Sequence, residues 1–198
     1  MPATVSAEAT IHESIAASVA VKQAMLADDE LVRKIAMAAE TIVTSLRGDG
    51  RVLLAGNGGS AADAQHIAAE FVGRYQKERR AMPAMALTVN SSALTAIGND
   101  YGFDEVFARQ VEAFARPGDV LLALSTSGNS RNLLRALLMA GALRVKTIAL
   151  TGQSGGKLKN VADLCLCVPS QQTPRIQEAH ILIGHAISEI VEAELFRR

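Results

Sequence analysis

The chain has no tryptophan, only two cysteines and five prolines in 198 residues, and its formal net charge is zero. Each shortage excludes something. Lys plus Arg and Asp plus Glu number 20 each, so there is no basic stripe with interleaved aromatics and no dedicated nucleic-acid surface is expected. No apolar run approaches the ~20 residues of a membrane span. Glu8 and Glu13 stand where a signal peptide would carry its basic segment. Cys165 and Cys167 are two residues apart, so on one strand they point the same way, a spacing unsuited to an ordinary disulfide. They read as buried thiols of a reducing compartment, and the chain is expected to be cytoplasmic.

The length suits one domain, or one domain with an appended helical element. Residues 7–25 read as a helix: Ile11, Ile15, Val19 and Leu26 follow helical spacing, with Lys22 interrupting the stripe. Ala16, Ala17, Ala20 and Ala24 give it a second, small-residue face. A second helix over 29–46 aligns Leu31, Ile35, Ala38, Ile42 and Leu46 before Gly48-Asp49-Gly50 ends it. Helices with two apolar faces pack against more than one neighbour. Residues 1–50 are therefore expected both on the core and in an oligomer interface, with the main domain over 51–198.

From Arg51 onward the pattern alternates between strand and helix. Strands are expected at 52–55, 85–88, 120–124, 147–150 and 164–168. Helices are expected after the first glycine-rich turn, as a turn ending at Gly98-Asn99-Asp100, over 103–114 and 132–142, and from Pro174 to Leu195. The run Val120-Leu121-Leu122-Ala123-Leu124 is nearly all apolar, the mark of a parallel strand buried on both faces. The fold class is α/β, a three-layer αβα sandwich with a central parallel sheet and ligands at the carboxyl ends of the strands.

Three stretches could carry chemistry. Gly56-Asn57-Gly58-Gly59-Ser60 has three glycines in four residues directly after a strand, and Ser60 is expected to cap the next helix with Asp63 behind it. Such a turn is a natural anion site, and His66 and Glu70, four apart, share one face of its helix. Taken alone, a His/Glu pair at that spacing is usually a solvated surface pair. Ser125-Thr126-Ser127-Gly128-Asn129-Ser130 offers hydroxyls and a helix N-terminus with no fixed positive charge, which suits a phosphate monoester; its bland alternative is a capped turn. The third stretch runs from Arg175 to His185. Gln177 and His185 are eight apart, hence ~12 Å along one straight helix. If both serve one small site, either Gln177 precedes the helix in irregular backbone or neighbouring subunits share the site.

These residues together resemble the sugar isomerase (SIS) domain family, and within it the phosphoheptose isomerases. The resemblance is carried by Gly56–Ser60 with Asp63, His66 and Glu70, by Thr95–Phe103, by Ser125–Ser130, by Leu150-Thr151-Gly152, and by Arg175–Glu178 with His185. It implies a flavodoxin-like SIS fold and conversion of sedoheptulose 7-phosphate into D-glycero-D-manno-heptose 7-phosphate. That reaction begins nucleotide-activated heptose synthesis for lipopolysaccharide or capsule. It also implies a homotetramer with active sites between subunits and a bound zinc ion. Carried over by position, Ser125, Thr126, Ser127 and Ser130 would hold phosphate, while Asn57, Gly58, Gly59, Ser60, Asn99, Asp100 and Gln177 would contact the sugar. His66, Glu70, Gln177 and His185 would be the zinc ligands, and Glu70 and His185 the acid/base pair, with Glu70 also touching substrate. Isomerisation through an enediol needs such a pair. The sequence departs from the family pattern at Asn90, where many relatives carry Asp, and at Pro174, where some are acidic. The competing reading is a non-catalytic relative that binds the replication initiator DnaA. The His66, Glu70 and His185 set argues against it. A sugar-phosphate-sensing regulator would need a DNA-binding domain that the sequence does not display.

Overall fold

The computed structural model describes residues 6–197. Two long helices, α1 (Ala7–Leu26) and α2 (Asp29–Arg47), begin at side-chain caps: Ser6 Oγ accepts from the Ala9 N–H at 3.1 Å and Asp28 Oδ1 from the Leu31 N–H at 3.0 Å. Then follow β1 (Val52–Gly56), α3 (Gly59–Val72), β2 (Ala84–Ala86), α4 (Ser91–Tyr101), α5 (Ala108–Phe114), β3 (Val120–Ser125), α6 (Arg131–Ala142), β4 (Lys146–Thr151), β5 (Leu164–Cys167) and α7 (Thr173–Leu195). The expected helix over 103–114 is broken. Phe103–Glu105 forms a 3-10 turn, and α5 starts only after Val106 and Phe107 have turned into the core.

The strands form one parallel sheet in the order β2-β1-β3-β4-β5. Alternating side chains of each strand serve opposite faces. Val52, Leu54, Leu122 and Leu150 join the core beneath α2, α3 and α7; Leu53, Ala55, Leu121 and Ala149 join the core beneath α5 and α6. This double burial is why β1 and β3 read as unbroken apolar runs. At the opposite end of the sheet Asp119 ties its corner together, accepting from the N–H groups of Arg51 at 2.9 Å and Arg116 at 2.8 Å.

The strand order reverses direction between β1 and β3, and open α/β sheets bind ligands at such a switch point. The two loops leaving it are the glycine turn and the Ser125–Ser130 segment. The departure at Asn90 has a local role: its side chain caps α4, accepting from the Ala93 N–H at 3.0 Å, a task Asn and Asp do equally well. No helix of the described residues is long and apolar enough to cross a membrane.

Candidate active site at the switch point

The glycine turn is built differently from the expected capping box. Helix α3 begins at Gly59, with Gly58 at its cap and φ of 55°; no side chain caps it. Ser60 lies inside the helix, buried, and its carbonyl packs so closely on Gly56 that a Cβ there would come within 2.3 Å. That close approach, not a hydroxyl cap, fixes the turn. Asp63 is correspondingly not paired with Ser60; burial raises its carboxyl above the usual range, with His66 opposing the effect.

Asn57 and Asn132 clasp the two loops together. Each side-chain amide donates to the other's oxygen, at 3.0 and 2.9 Å, across the gap between β1 and β3. Both polar atoms of the Asn57 side chain are thereby engaged, so its side chain acts as a strut. The sequence reading missed Asn132. The available signal was a polar amide in the first turn of an otherwise apolar helix pattern.

The second loop forms a hydroxyl-rich cradle. Ser125 and Ser130 hydroxyls are 3.0 Å apart, and the Asn129 N–H donates to Ser127 Oγ at 3.1 Å. Gly128 has φ of 64° and sits where a Cβ would lie 2.1 Å from the Gly155 carbonyl, so only glycine lets the β3 and β4 loops touch. Beside it lies a cavity of about 480 Å³ lined by Thr126, Ser127, Gly152, Ser154 and Ser170, among others. The Ser130 side chain does not cap α6 and the Leu133 N–H is taken by Asn132 Oδ1 at 2.9 Å, which leaves the N–H groups of Arg131 and Asn132 to an anion. Gly152 belonged to a recognised motif; Ser154 and Ser170 had no sequence signal beyond turn composition.

His66, Glu70 and His185 come together on α3 and α7, which run alongside each other in the same direction. His66 Nε2 lies 2.9 Å from His185 Nε2 and 3.3 Å from Glu70 Oε1. Their ligand atoms all fall within 4.8 Å of one another. Gly184 allows this approach, because a Cβ there would come within 2.5 Å of Ile67. The Tyr75 ring stands 5.7 Å from the His185 ring. Two imidazole nitrogens and a carboxylate oxygen converging on one point are donors compatible with zinc. Behind the triad, Arg79 donates to the carbonyls of Glu70, Phe71, Gly73 and Arg80, closing the C-terminal end of α3. Glu192 of α7 holds Arg79 at 2.9 Å and accepts the N–H groups of Tyr75, Gln76 and Lys77.

Gln177 is not beside this triad. It lies within α7, so irregular backbone is excluded, and it packs against Gly59 at the start of α3. It thus stands ~12 Å from His185 along the helix. Asn99 and Asp100 hydrogen-bond to each other at 2.8 Å on the exposed end of α4 rather than to either loop. His180 is a core residue: its ring faces the Thr151 carbonyl at 3.2 Å, and burial lowers it to about 4, so it is neutral.

A flavodoxin-like strand order, a glycine turn and a hydroxyl cradle at the switch point define a sugar-phosphate-binding α/β domain, and residues 15–152 match the model of the SIS domain. The chain belongs to the SIS domain family. Within it, the chain belongs with the phosphoheptose isomerases. The enzyme of that name from Sulfurimonas denitrificans is 51% identical over 186 residues, covering 94% of this chain and 95% of its own. That from Rhodospirillum rubrum is 60% identical over 161 residues, covering 81% and 86%. The structure of phosphoheptose isomerase GmhA from Neisseria gonorrhoeae superposes with a TM-score of 0.90 at 45% identity, covering 95% of this chain and all of that one.

Proposed function

We propose that the chain isomerises sedoheptulose 7-phosphate to D-glycero-D-manno-heptose 7-phosphate, the entry to nucleotide-activated heptose, as a cytoplasmic homotetramer. The relatives support the reaction. The observation that carries the site assignment is the convergence of Glu70 and His185 with His66. The substrate phosphate is held by Ser125, Thr126, Ser127 and Ser130 and the start of α6, all neutral donors aimed at one anion. Backbone N–H groups of Gly58 and Gly59 approach the sugar, while the Ser60 N–H, donated to the Asn57 carbonyl at 3.0 Å, helps to fix the turn they belong to. One of Glu70 and His185 removes the proton from the carbon next to the carbonyl, and the other delivers a proton to the carbonyl oxygen. The enediol then collapses to the aldehyde as the former carbonyl carbon takes up a proton and the hydroxyl on the neighbouring carbon gives one up, so no net proton is gained or lost.

His66, Glu70 and His185 would hold zinc, which when bound would polarise the substrate carbonyl. Gln177 of a neighbouring subunit would complete the donor set, since the ~12 Å spacing within one helix is no obstacle between subunits. The same sharing brings in Asn99 and Asp100. An interface role for α1 and α4 is supported by their surfaces. Every residue of α4 is at least partly exposed, and Ile11, Ile15 and Val19 of α1 and Tyr101 of α4 face outward. Residues 1–50 in this reading build the tetramer onto the SIS domain of 51–198. A DnaA-binding protein has no use for the triad, and the relatives give that reading no support.

Glu70→Gln and His185→Gln test the assignment. Each keeps size and polarity but loses proton transfer at its position, so turnover is expected to fall by about 100-fold or more. The tetramer, read by sedimentation, stays intact. Near-normal turnover in either pure variant removes that residue from the acid/base pair.

A further inference from the structure

Among the described residues outside the site, the one cluster of nucleophilic side chains lies on the edge strand β5. Cys165 and Cys167 are side by side, with their sulfurs 3.7 Å apart. Thr151 Oγ1, on the adjoining strand, is 3.5 Å from each of them. Cys165 is buried and Cys167 half-buried, so the group is reached from the Cys167 side.

The pair is poorly placed for oxidation. Two strand residues span about 6.6 Å, at the upper edge of the Cα separations that a disulfide bridges. Closing the bond would draw sulfurs now 3.7 Å apart to roughly 2.05 Å against the pull of the β4–β5 ladder. Ligating a cation requires far less. Zinc-like metal–thiolate bonds of about 2.3 Å at a tetrahedral angle place two sulfurs roughly 3.8 Å apart, and linear coordination places them farther apart still.

We propose that Cys165 and Cys167 form a second metal site, a dithiolate for a soft monovalent cation of the copper(I) class, with Thr151 Oγ1 on its third side. Thiolate pairs select such ions over hard ones. The hydrogen bond from Cys165, together with the Thr151 hydroxyl and the Lys159 ammonium, favours the Cys167 thiolate against its burial. Cys165 is correspondingly raised by the same hydrogen bond and by burial, and it releases its proton as the cation binds. Two thiolates and one monovalent cation leave a single negative charge, which Lys159 offsets. No bond within the protein breaks; one cation enters and the thiol protons leave to water.

The test uses the reduced, full-length protein without oxygen, with the histidine triad first loaded with zinc. Copper(I) is offered on a coloured competing chelator. Wild type is expected to strip a stoichiometric copper ion per chain, bleaching the chelator and gaining a near-ultraviolet thiolate-to-copper band. Cys165→Ser and Cys167→Ser are each expected to lose both signals. Cys167→Ser, altered at a half-buried position, remains informative should the buried change unfold the chain. Equal copper uptake by wild type and Cys167→Ser overturns the proposal. So does no uptake by wild type, or a loss that follows His185→Gln instead, which would place copper at the histidines.

Discussion

At the residue scale, the two histidine-bearing turns of α7 show how environment separates roles. His185 reaches His66 and Glu70 at the protein surface, whereas His180 is wholly enclosed and faces only the Thr151 carbonyl. A neutral His180 donates through Nε2–H, while its Nδ1 has no partner. Its folded value is about 4 against an ordinary 6.5, so the unfolded chain binds this proton more readily. Its cost is therefore absent above about pH 6.5 and grows as pH falls towards 4, reaching at most roughly 3 kcal/mol. Denaturant titrations between pH 7.5 and 4.5 should show stability falling with this proton uptake, and His180→Phe should flatten that slope. An unchanged slope in the variant assigns the acid sensitivity elsewhere. The apolar residues on either side of His180 are visible in the sequence, and a lone histidine in such a helix is usually a core residue. By contrast, the clasp between Asn57 and Asn132 was illegible, because residues 75 apart in sequence meet only once the strand order is known.

At the element scale, the catalytic assignment depends on α3 and α7 holding a fixed register. Gly184 sets their separation, and the Arg79–Glu192 pair locks the segment after α3 against the second half of α7. Burial alone would raise the Glu192 carboxyl; hydrogen bonds from Gln76, Tyr75, Lys77 and Arg79 outweigh it and hold the group below its ordinary range. A carboxyl lowered on folding stabilises fully above the ordinary carboxylate range, and that contribution is lost as pH falls through and below it. Removing one partner of a pair whose side chains are 1% and 3% exposed leaves the other charge buried. Glu192→Gln is expected to cost about 3–5 kcal/mol in chemical denaturation. A loss below 1 kcal/mol would mean that the bracket does not hold the helices. Periodicity located α7 to within a residue, but neither Arg79 nor Glu192 belonged to any recognisable motif. Ion-pair partners more than a hundred residues apart leave no local trace.

At the scale of the whole molecule, the alternation of apolar runs and helical stripes was enough to read the parallel sheet and the strand ends that carry the site. The separation of Gln177 from His185 was legible in their eight-residue spacing, whereas the stranded positions of Asn99 and Asp100 were not, because they are a property of one protomer's packing. They make sense in an assembly. Ile15, 59% exposed on α1, is expected to be buried in the proposed tetramer, and Ile15→Glu should shift that assembly to smaller species in sedimentation while each chain keeps its helical content. A tetramer unaffected by the change would place the interface away from α1.

The central claim is that the triad and the hydroxyl cradle act together on a seven-carbon ketose phosphate. The most direct measurement is conversion of sedoheptulose 7-phosphate by the purified protein, before and after a chelator and again with zinc restored. The account predicts turnover that falls on chelation and returns with zinc. No conversion under any of these conditions, by a correctly folded tetramer, would contradict it.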